Sequence, residues 1–397
     1  MDDISSAGIV AEYNPFHNGH LWHIQETRRI TGAEVILVVM SGYFTQRGEM
    51  AMRDKWSRAA IAVRNGADLV VELPTVSAAS SAGNFARAGV NILQNLGADF
   101  ISFGSESGNL SALLSIKDKL QASEEEMEQR MLPLVKEGFS WPRARQQVLK
   151  GILNEEEQDM LQSPNHILAL EYLKYMDKAK PVTVKRQGAG YHDPKPSGRF
   201  ASATAIRQLA ARGLDVSGWV PDGLQVSVET LKNREEAYFR MVAQKILSTP
   251  AEMLDLAEAG GEGLGNKARN EIRSCRSMED LYDTLKSKRY TRTRIQRFAA
   301  QILLGVTKED VNACRDYVRV LSLNERGSRY LKAVKKAGIC GLPVITNVNR
   351  DLEKAPEIED MIRKDMLAAD LYNLASGRNL YEHCDMVERV RFFKENT

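Results

Sequence analysis

The sequence predicts an α/β fold built on a parallel sheet, with a mainly α-helical C-terminal domain after it. Three observations predict this. First, short apolar runs at residues 8–12, 34–40, 68–73 and 99–103 alternate with helical patterns at 21–30, 53–65 and 84–96. That is the β-α repetition of a parallel sheet covered by helices. Second, residues from about 110 to 180 read as helical, a helical insertion ahead of a fifth strand at 181–186. Third, beyond a boundary near Ser217-Gly218-Trp219-Val220-Pro221-Asp222-Gly223 the strand pattern almost stops. Amphipathic helices dominate there, at 235–247, 278–286 and 360–374, with one short strand expected at 343–348. The expected architecture is a Rossmann-like domain over 1–218 and a helical domain over 219–397.

The chain as a whole excludes several classes. Its 397 residues exceed one compact core and suit two domains. No apolar run is long enough to span a bilayer, and the acidic start Met1-Asp2-Asp3 lacks a signal-peptide pattern. Cys275, Cys314, Cys340 and Cys384 are far apart and form no Cys-x-x-Cys pair, against a disulfide framework or zinc ribbon. A cytoplasmic protein without a membrane partner is expected. The net charge of +2 announces no nucleic-acid binder, so any such role must come from local clusters.

The first strand leads through Asn14-Pro15 to a helix that begins near Leu21, which places His17 and His20 at the helix start. A helix N-terminus offers unpaired N–H groups and the positive end of a dipole, so it attracts phosphate. Gly19 lets a phosphate or ribose come close to the backbone. Ligands of such sheets bind beyond the carboxyl ends of the strands, where strand order reverses. An ordinary helix start remains an alternative for these residues. A metal site from His17, His20 and His23 is another, though no Cys or carboxylate completes a known ligand pattern.

The second strand runs into a polar loop, 41–49, whose Arg47 can face a phosphate or water; Lys55 and Arg58 on the next helix face the same edge or solvent. The fourth strand ends in Phe103-Gly104-Ser105-Glu106-Ser107-Gly108, small enough for backbone contact with a nucleotide. In Ser163-Pro164-Asn165-His166 a capped helix begins, and Asn165 and His166 either form a plain first turn or reach a ligand. After the fifth strand come Gly188-Ala189-Gly190-Tyr191-His192-Asp193 and then a helix capped by Ser202, with Thr204 and Arg207 in its first turns. Hydroxyls and an arginine at a helix start make a second anion site. Two basic segments follow, 286–298 with Lys288, Arg289, Arg292, Arg294 and Arg297, and 326–336 with Lys332 and Lys335. Each is a solvated helix face or, with its interleaved tyrosines, an RNA contact; beside a phosphate-binding domain we favour RNA.

His17-Asn18-Gly19-His20 resembles the signature of the HIGH nucleotidyltransferase superfamily, in which two histidines hold ATP phosphates while the α-phosphate is attacked. The stretch 202–207 resembles the Ile-Ser-Ser-Thr-x-x-Arg motif of adenylyltransferases, without the Lys-Met-Ser-Lys-Ser of aminoacyl-tRNA synthetases. More of the chain is similar to the tRNA(Met) cytidine acetate ligase family: residues 12–20, Gln46-Arg47-Gly48-Glu49, 68–74, 103–106, 202–207 and 288–297. Met50-Ala51-Met52 departs from that family's more usual Pro and Ile. The resemblance implies an ATP-dependent ligase that makes acetyl-adenylate from acetate, then acetylates N4 of the wobble cytidine of elongator tRNA(Met). It implies His17 and His20 as catalytic residues, and Mg²⁺ on the phosphates. It further implies an ATP site of Val10, Glu12, Tyr13, Asn14, His17, Gly19, His20, Gly104, Asn165, Arg186, Ser202, Thr204 and Arg207, with tRNA held by the seven basic residues named above. Two rivals are an adenylyltransferase acting on a phosphorylated small molecule and an ATP-sensing RNA-binding protein without catalysis.

Overall fold

β1 (Ser6–Ala11) is the strand from which the sheet grows in both directions. On one side it pairs in parallel with β2 (Val35–Ser41), and β2 with β3 (Leu69–Leu73); on the other it pairs with β4 (Phe100–Ser105), and β4 with β5 (Lys180–Lys185). The order β5-β4-β1-β2-β3 reverses at β1, so the carboxyl end of β1 is the switch point. The computed structural model describes residues 4–139, 141–187, 198–224, 226–383 and 385–394; the glycine-rich run 188–193 and Cys384 lie outside them.

β2 is buried at every position because both its faces are covered. Ile36, Val38 and Met40 pack with Ile24 of α1 (Asn18–Thr31) and with Trp56 and Ile61 of α2 (Lys55–Arg64). Val35, Leu37 and Val39 face the other way, onto Phe85 and Leu93 of α3 (Ala82–Asn95). The expected insertion is helical: Leu110–Ala122, Glu124–Lys136, Trp141–Leu149, Glu155–Met160 and α4 (Pro164–Tyr175). α4 packs Leu170 and Tyr172 into the same core as α3.

Beyond residue 218 the chain is mainly helical, but one short strand was too few. β7 (Val344–Ile345) falls where a strand is expected, while β6 (Val318–Asn324) and β8 (Arg391–Phe393) are additional. β6 runs antiparallel to β3 and carries β7 and β8, so the late chain completes the early sheet. Its sequence hid it because Arg319 interrupts the apolar run Val-Arg-Val-Leu-Ser-Leu-Asn. That arginine is neutralised in the core: its Nε lies 3.5 Å from Glu72 and its Nη1 3.4 Å from Asp385.

Of the two alternatives for Lys55 and Arg58, the carboxyl edge or solvent, the structure excludes solvent: both pack at the ends of the strands. Both are buried, at 0% and 1% exposure. Lys55 Nζ lies 2.6 Å from Glu72 and 2.5 Å from Asp385, and Arg58 donates to the carbonyls of Glu12, Ser41, Gly42 and Arg53. Removing one member of a buried ion cluster strands the rest. Lys55→Met is therefore expected to cost about 3–5 kcal/mol in urea unfolding, whereas Arg130→Ala, which breaks an exposed pair with Glu126, should cost less than about 1.

The late helices sit on the carboxyl edge. Tyr43 and Phe44, after β2, and Val76 and Ala79, after β3, share one core with Phe298 of α6 (Arg292–Leu304) and Tyr372 of α8 (Glu359–Ala375). Asp365 of α8 accepts the Thr75 N–H at 2.8 Å. Among the described residues no helix is long and apolar enough to cross a membrane.

Candidate active site at the carboxyl edge

The turn after β1 is built around its side chains. Tyr13 holds a positive φ of 48°, which a bulky residue keeps only when its surroundings fix it. Its ring is buried, edge-on to Phe16 and His20 with centroids 4.8 Å away in each case. Asn14 Oδ1 accepts the Met52 N–H at 2.8 Å. His17 is the N-cap of α1: its Nδ1 accepts the Gly19 N–H at 3.0 Å, while His20 Nδ1 accepts the His17 N–H at 3.2 Å. The two imidazoles thus cap the helix reciprocally, in the manner of a Ser/Glu capping box.

That geometry fixes their chemistry. With both Nδ1 atoms accepting, each neutral ring carries its proton on Nε2. The rings stack with centroids 3.7 Å apart and 24° between their planes. Burial, aided by the charges of Arg186 and Arg207, pushes His17 down to about 3. Burial likewise takes His20 well below the usual histidine range, with His17, Arg186 and His23 adding to it. The pair offers neutral donors rather than cations. His23 does not join them; its Nε2 pairs with Ser102 Oγ at 3.0 Å, and among the described residues no group of three His, Cys, Asp or Glu gathers as metal ligands would.

Gly19 serves this pair more than it opens the backbone. Its N–H is taken by His17, and a Cβ there would lie 2.9 Å from His17 Cε1, forcing the imidazole aside.

The second turn meets the first. Ser202 caps α5 (Ala203–Ala211) by accepting the Ala205 N–H at 3.1 Å. From α5, Arg207 reaches across 193 positions of sequence to donate to the Asn14 carbonyl at 2.9 Å, with Thr204 Oγ1 at 3.4 Å and Glu49 Oε2 at 3.1 Å. Asn18 Nδ2 donates to the Arg199 and Gly218 carbonyls at 2.9 and 3.0 Å, and the Asn18 N–H to Trp219 O at 2.9 Å. Both helix starts therefore open on one edge of the sheet.

Other candidates take varied positions. Gly104 on β4 faces the Arg186 side chain, and Asn165 donates to Glu106 beside them. His166 is structural: Nδ1 donates to Met160 O at 3.0 Å and Nε2 accepts the Ser107 N–H at 3.3 Å, holding the loop after β4. Val10 turns its side chain onto Gly89 of α3. Glu12 accepts the Gln46 N–H at 2.7 Å.

The basic residues divide. Gly48, at φ 78°, lies against the backbone of α6, where a Cβ would come within 2.4 Å of Gln296 O. This sets the 286–298 segment beside the loop that bears Glu49. Lys288 and Arg289 are exposed there. Arg292 already binds Glu279 and Asp283, Arg294 binds Glu262 and the Ala259 and Gly260 carbonyls, and Arg297 is half-buried. Lys332 and Lys335 are exposed on α7 (Glu325–Lys336), far from this edge. Tyr330 of the same helix bonds Leu96 O and Gly97 O at 2.9 Å and Ser6 Oγ at 3.0 Å, at the amino end of β1.

Residues 4–385 match the model of the HIGH Nucleotidyl Transferase family. A tRNA(Met) cytidine acetate ligase of Caldicellulosiruptor saccharolyticus is 38% identical over 94% of this chain and 94% of its own. One of Staphylococcus saprophyticus is 35% identical over 98% of this chain and 100% of its own. The chain belongs to the tRNA(Met) cytidine acetate ligase family. Crystal structures of Thermotoga maritima TmcAL agree with this. The one bound with alpha-thio ATP superposes with a TM-score of 0.86 at 30% identity, and the apo form with 0.87 at 32%; each covers 98% of this chain and 100% of the neighbour.

In this member of the acetate ligase family, sequence reasoning gave no role to Glu49, Arg58 or Arg234. Arg234 donates to the Ala51 and Met52 carbonyls at 3.0 and 2.9 Å, fixing the loop that Asn14 also holds. Arg58 left one signal: a charge set in the apolar stretch Ala59-Ala60-Ile61-Ala62-Val63 needs buried acceptors. Glu49 left none beyond its place in a quoted motif.

Proposed function

We propose that the chain binds ATP at the carboxyl edge, activates acetate as acetyl-adenylate with release of diphosphate, and acetylates N4 of the wobble cytidine of elongator tRNA(Met), releasing AMP. The observation that carries this is the Arg207–Asn14 bond, which joins the imidazole turn to the hydroxyl-and-guanidinium turn. A triphosphate reaches both only if they share one edge. The neighbour solved with alpha-thio ATP supports the same reading.

Adenylyl transfer relies on positioning and charge stabilisation more than on covalent catalysis. His17 and His20 present Nε2–H donors to the α- and β-phosphates. Neutral donors suit this step, because their bonds strengthen as charge builds on the phosphate oxygens. Ser202, Thr204 and Arg207 hold the β- and γ-phosphates. Gly104, Asn165 and Arg186 take the adenosine end, and Val10, Glu12, Tyr13, Asn14 and Gly19 shape the strand end beneath. Among the described residues no three His, Cys, Asp or Glu gather as metal ligands would, so the protein's own side chains build no cage there. Mg²⁺ would ride on the triphosphate and offset its charge, and no step is routed through it.

The test is acetate-dependent exchange of labelled diphosphate into ATP without tRNA, followed by a search for acetyl on cytidine when tRNA is added. Exchange that needs tRNA, or runs without acetate, rejects the scheme. For the tRNA surface, Lys288→Ala with Arg289→Ala is expected to weaken tRNA binding about tenfold and to lower its salt dependence. Lys332→Ala with Lys335→Ala, on the opposite edge, should change affinity less. The reverse ranking in a filter-binding titration would move the RNA to the amino edge.

A further inference from the structure

We infer that Glu12 is the general base of acyl transfer, taking a proton from the N4 amine of cytidine as that nitrogen attacks the acetyl carbonyl. The inference rests on the ligase reading above. In the step the N4–carbon bond forms, the bond between the carbonyl carbon and the phosphate oxygen breaks, and AMP leaves with the electron pair. One N4 proton goes to the Glu12 carboxylate and then to water. The lone pair of this amine is delocalised into the pyrimidine ring, so it attacks well only as a proton is removed.

Among the described residues, the histidines at this edge cannot remove it. The Nδ1 lone pairs of His17 and His20 are held by backbone N–H groups, and their Nε2 atoms already carry hydrogen. His23 is committed to Ser102, and His166 to Met160 and Ser107. Among the described residues, the carboxylates beside the two turns are Glu12, Glu49 and Glu106. Glu106 is bound by Asn165 on the adenosine side. Glu49 is locked 3.1 Å from the Arg207 guanidinium.

Glu12 differs from both. Its Oε1 is fixed by the Gln46 N–H at 2.7 Å and its backbone carbonyl by Arg58 at 2.5 Å, so the residue is rigidly placed at the end of β1, next to the imidazole turn. Its Oε2 accepts no hydrogen bond among the described residues; the buried Oε2 of Glu106 is likewise unpartnered, but Glu106 lies beside Asn165 rather than beside the imidazole turn. The groups around it set its proton affinity. Burial and the Glu49 charge raise it; the Gln46 N–H, Arg207 and Arg47 oppose, and the net shift is upward. Burial, with this charge adding to it, holds the Tyr172 hydroxyl of α4 protonated. A carboxylate tuned upward is the better base near neutral pH.

The experiment forms acetyl-adenylate on the enzyme and chases it with either tRNA or hydroxylamine, a strong nucleophile that needs no base, across pH 5 to 9. Glu12→Gln is expected to lower the ratio of cytidine transfer to hydroxylamine trapping about 100-fold and to abolish the rise of transfer with pH; Glu12→Asp should restore part of both. Transfer and trapping that fall together, or a pH profile that persists in Glu12→Gln, would overturn the assignment. A wild-type enzyme that lacks acetate-dependent exchange would remove the ligase reading and this inference with it, and that failure is distinct because it needs no variant.

Discussion

His20→Ala lowers acetate-dependent exchange of diphosphate into ATP by about 10²–10³-fold, the usual cost of losing one donor aimed at developing charge. The loss appears in kcat, because a donor that strengthens in the transition state contributes little to ATP binding. Unfolding by urea controls for the stacked ring that is lost against His17. His20→Asn keeps a donor and should recover part of the rate. The same geometry sets the pH behaviour. Both imidazoles sit far below the usual histidine range because they are buried, so they stay neutral well below pH 6.5. Wild-type exchange should therefore show no inflection near that pH. A clear one, absent in His20→Ala, would mean that the imidazole acts as a cation.

Arg207→Ala is the second large effect. It removes the group that bonds Asn14 O, Thr204 and Glu49 at once, and so both a phosphate ligand and the tie between the two turns. We expect exchange to fall about 100-fold with a raised KM for ATP, and stability to fall by only about 1 kcal/mol. Arg207→Lys should recover less than a tenth, since an ammonium cannot reproduce a planar fork that spans several acceptors. Exchange within threefold of wild type in Arg207→Ala would show that the turns meet without sharing a ligand.

The early strands were legible to within a residue or two at most ends, because β2 and β3 are buried on both faces and almost wholly apolar, with no competing pattern. The site was legible as two helix starts, since caps and glycines are local signals. Their meeting was not, because no local rule relates Asn14 to Arg207. Nor was the roll of buried charge. Lys55 and Arg319 look like surface residues until Glu72 and Asp385 are seen beside them, and Arg58 until the carbonyls of Glu12, Ser41, Gly42 and Arg53 are. The positive φ of Tyr13 is equally silent in sequence, where its aromatic ring argues for a strand. The two basic segments looked alike, and only the packing of Gly48 on α6 and of Tyr330 at the amino end of β1 separates them.

The pairing of β6 with β3 has a consequence for synthesis. As the polypeptide leaves the ribosome, β3 has no neighbour on its outer side until Val318–Asn324 emerges. Until then it is an edge open to strands of other nascent molecules, the situation in which aggregation begins. The cation of Lys55 likewise waits for Asp385 to arrive. Maturation of the sheet and of this ion cluster thus waits on β6 and on Asp385.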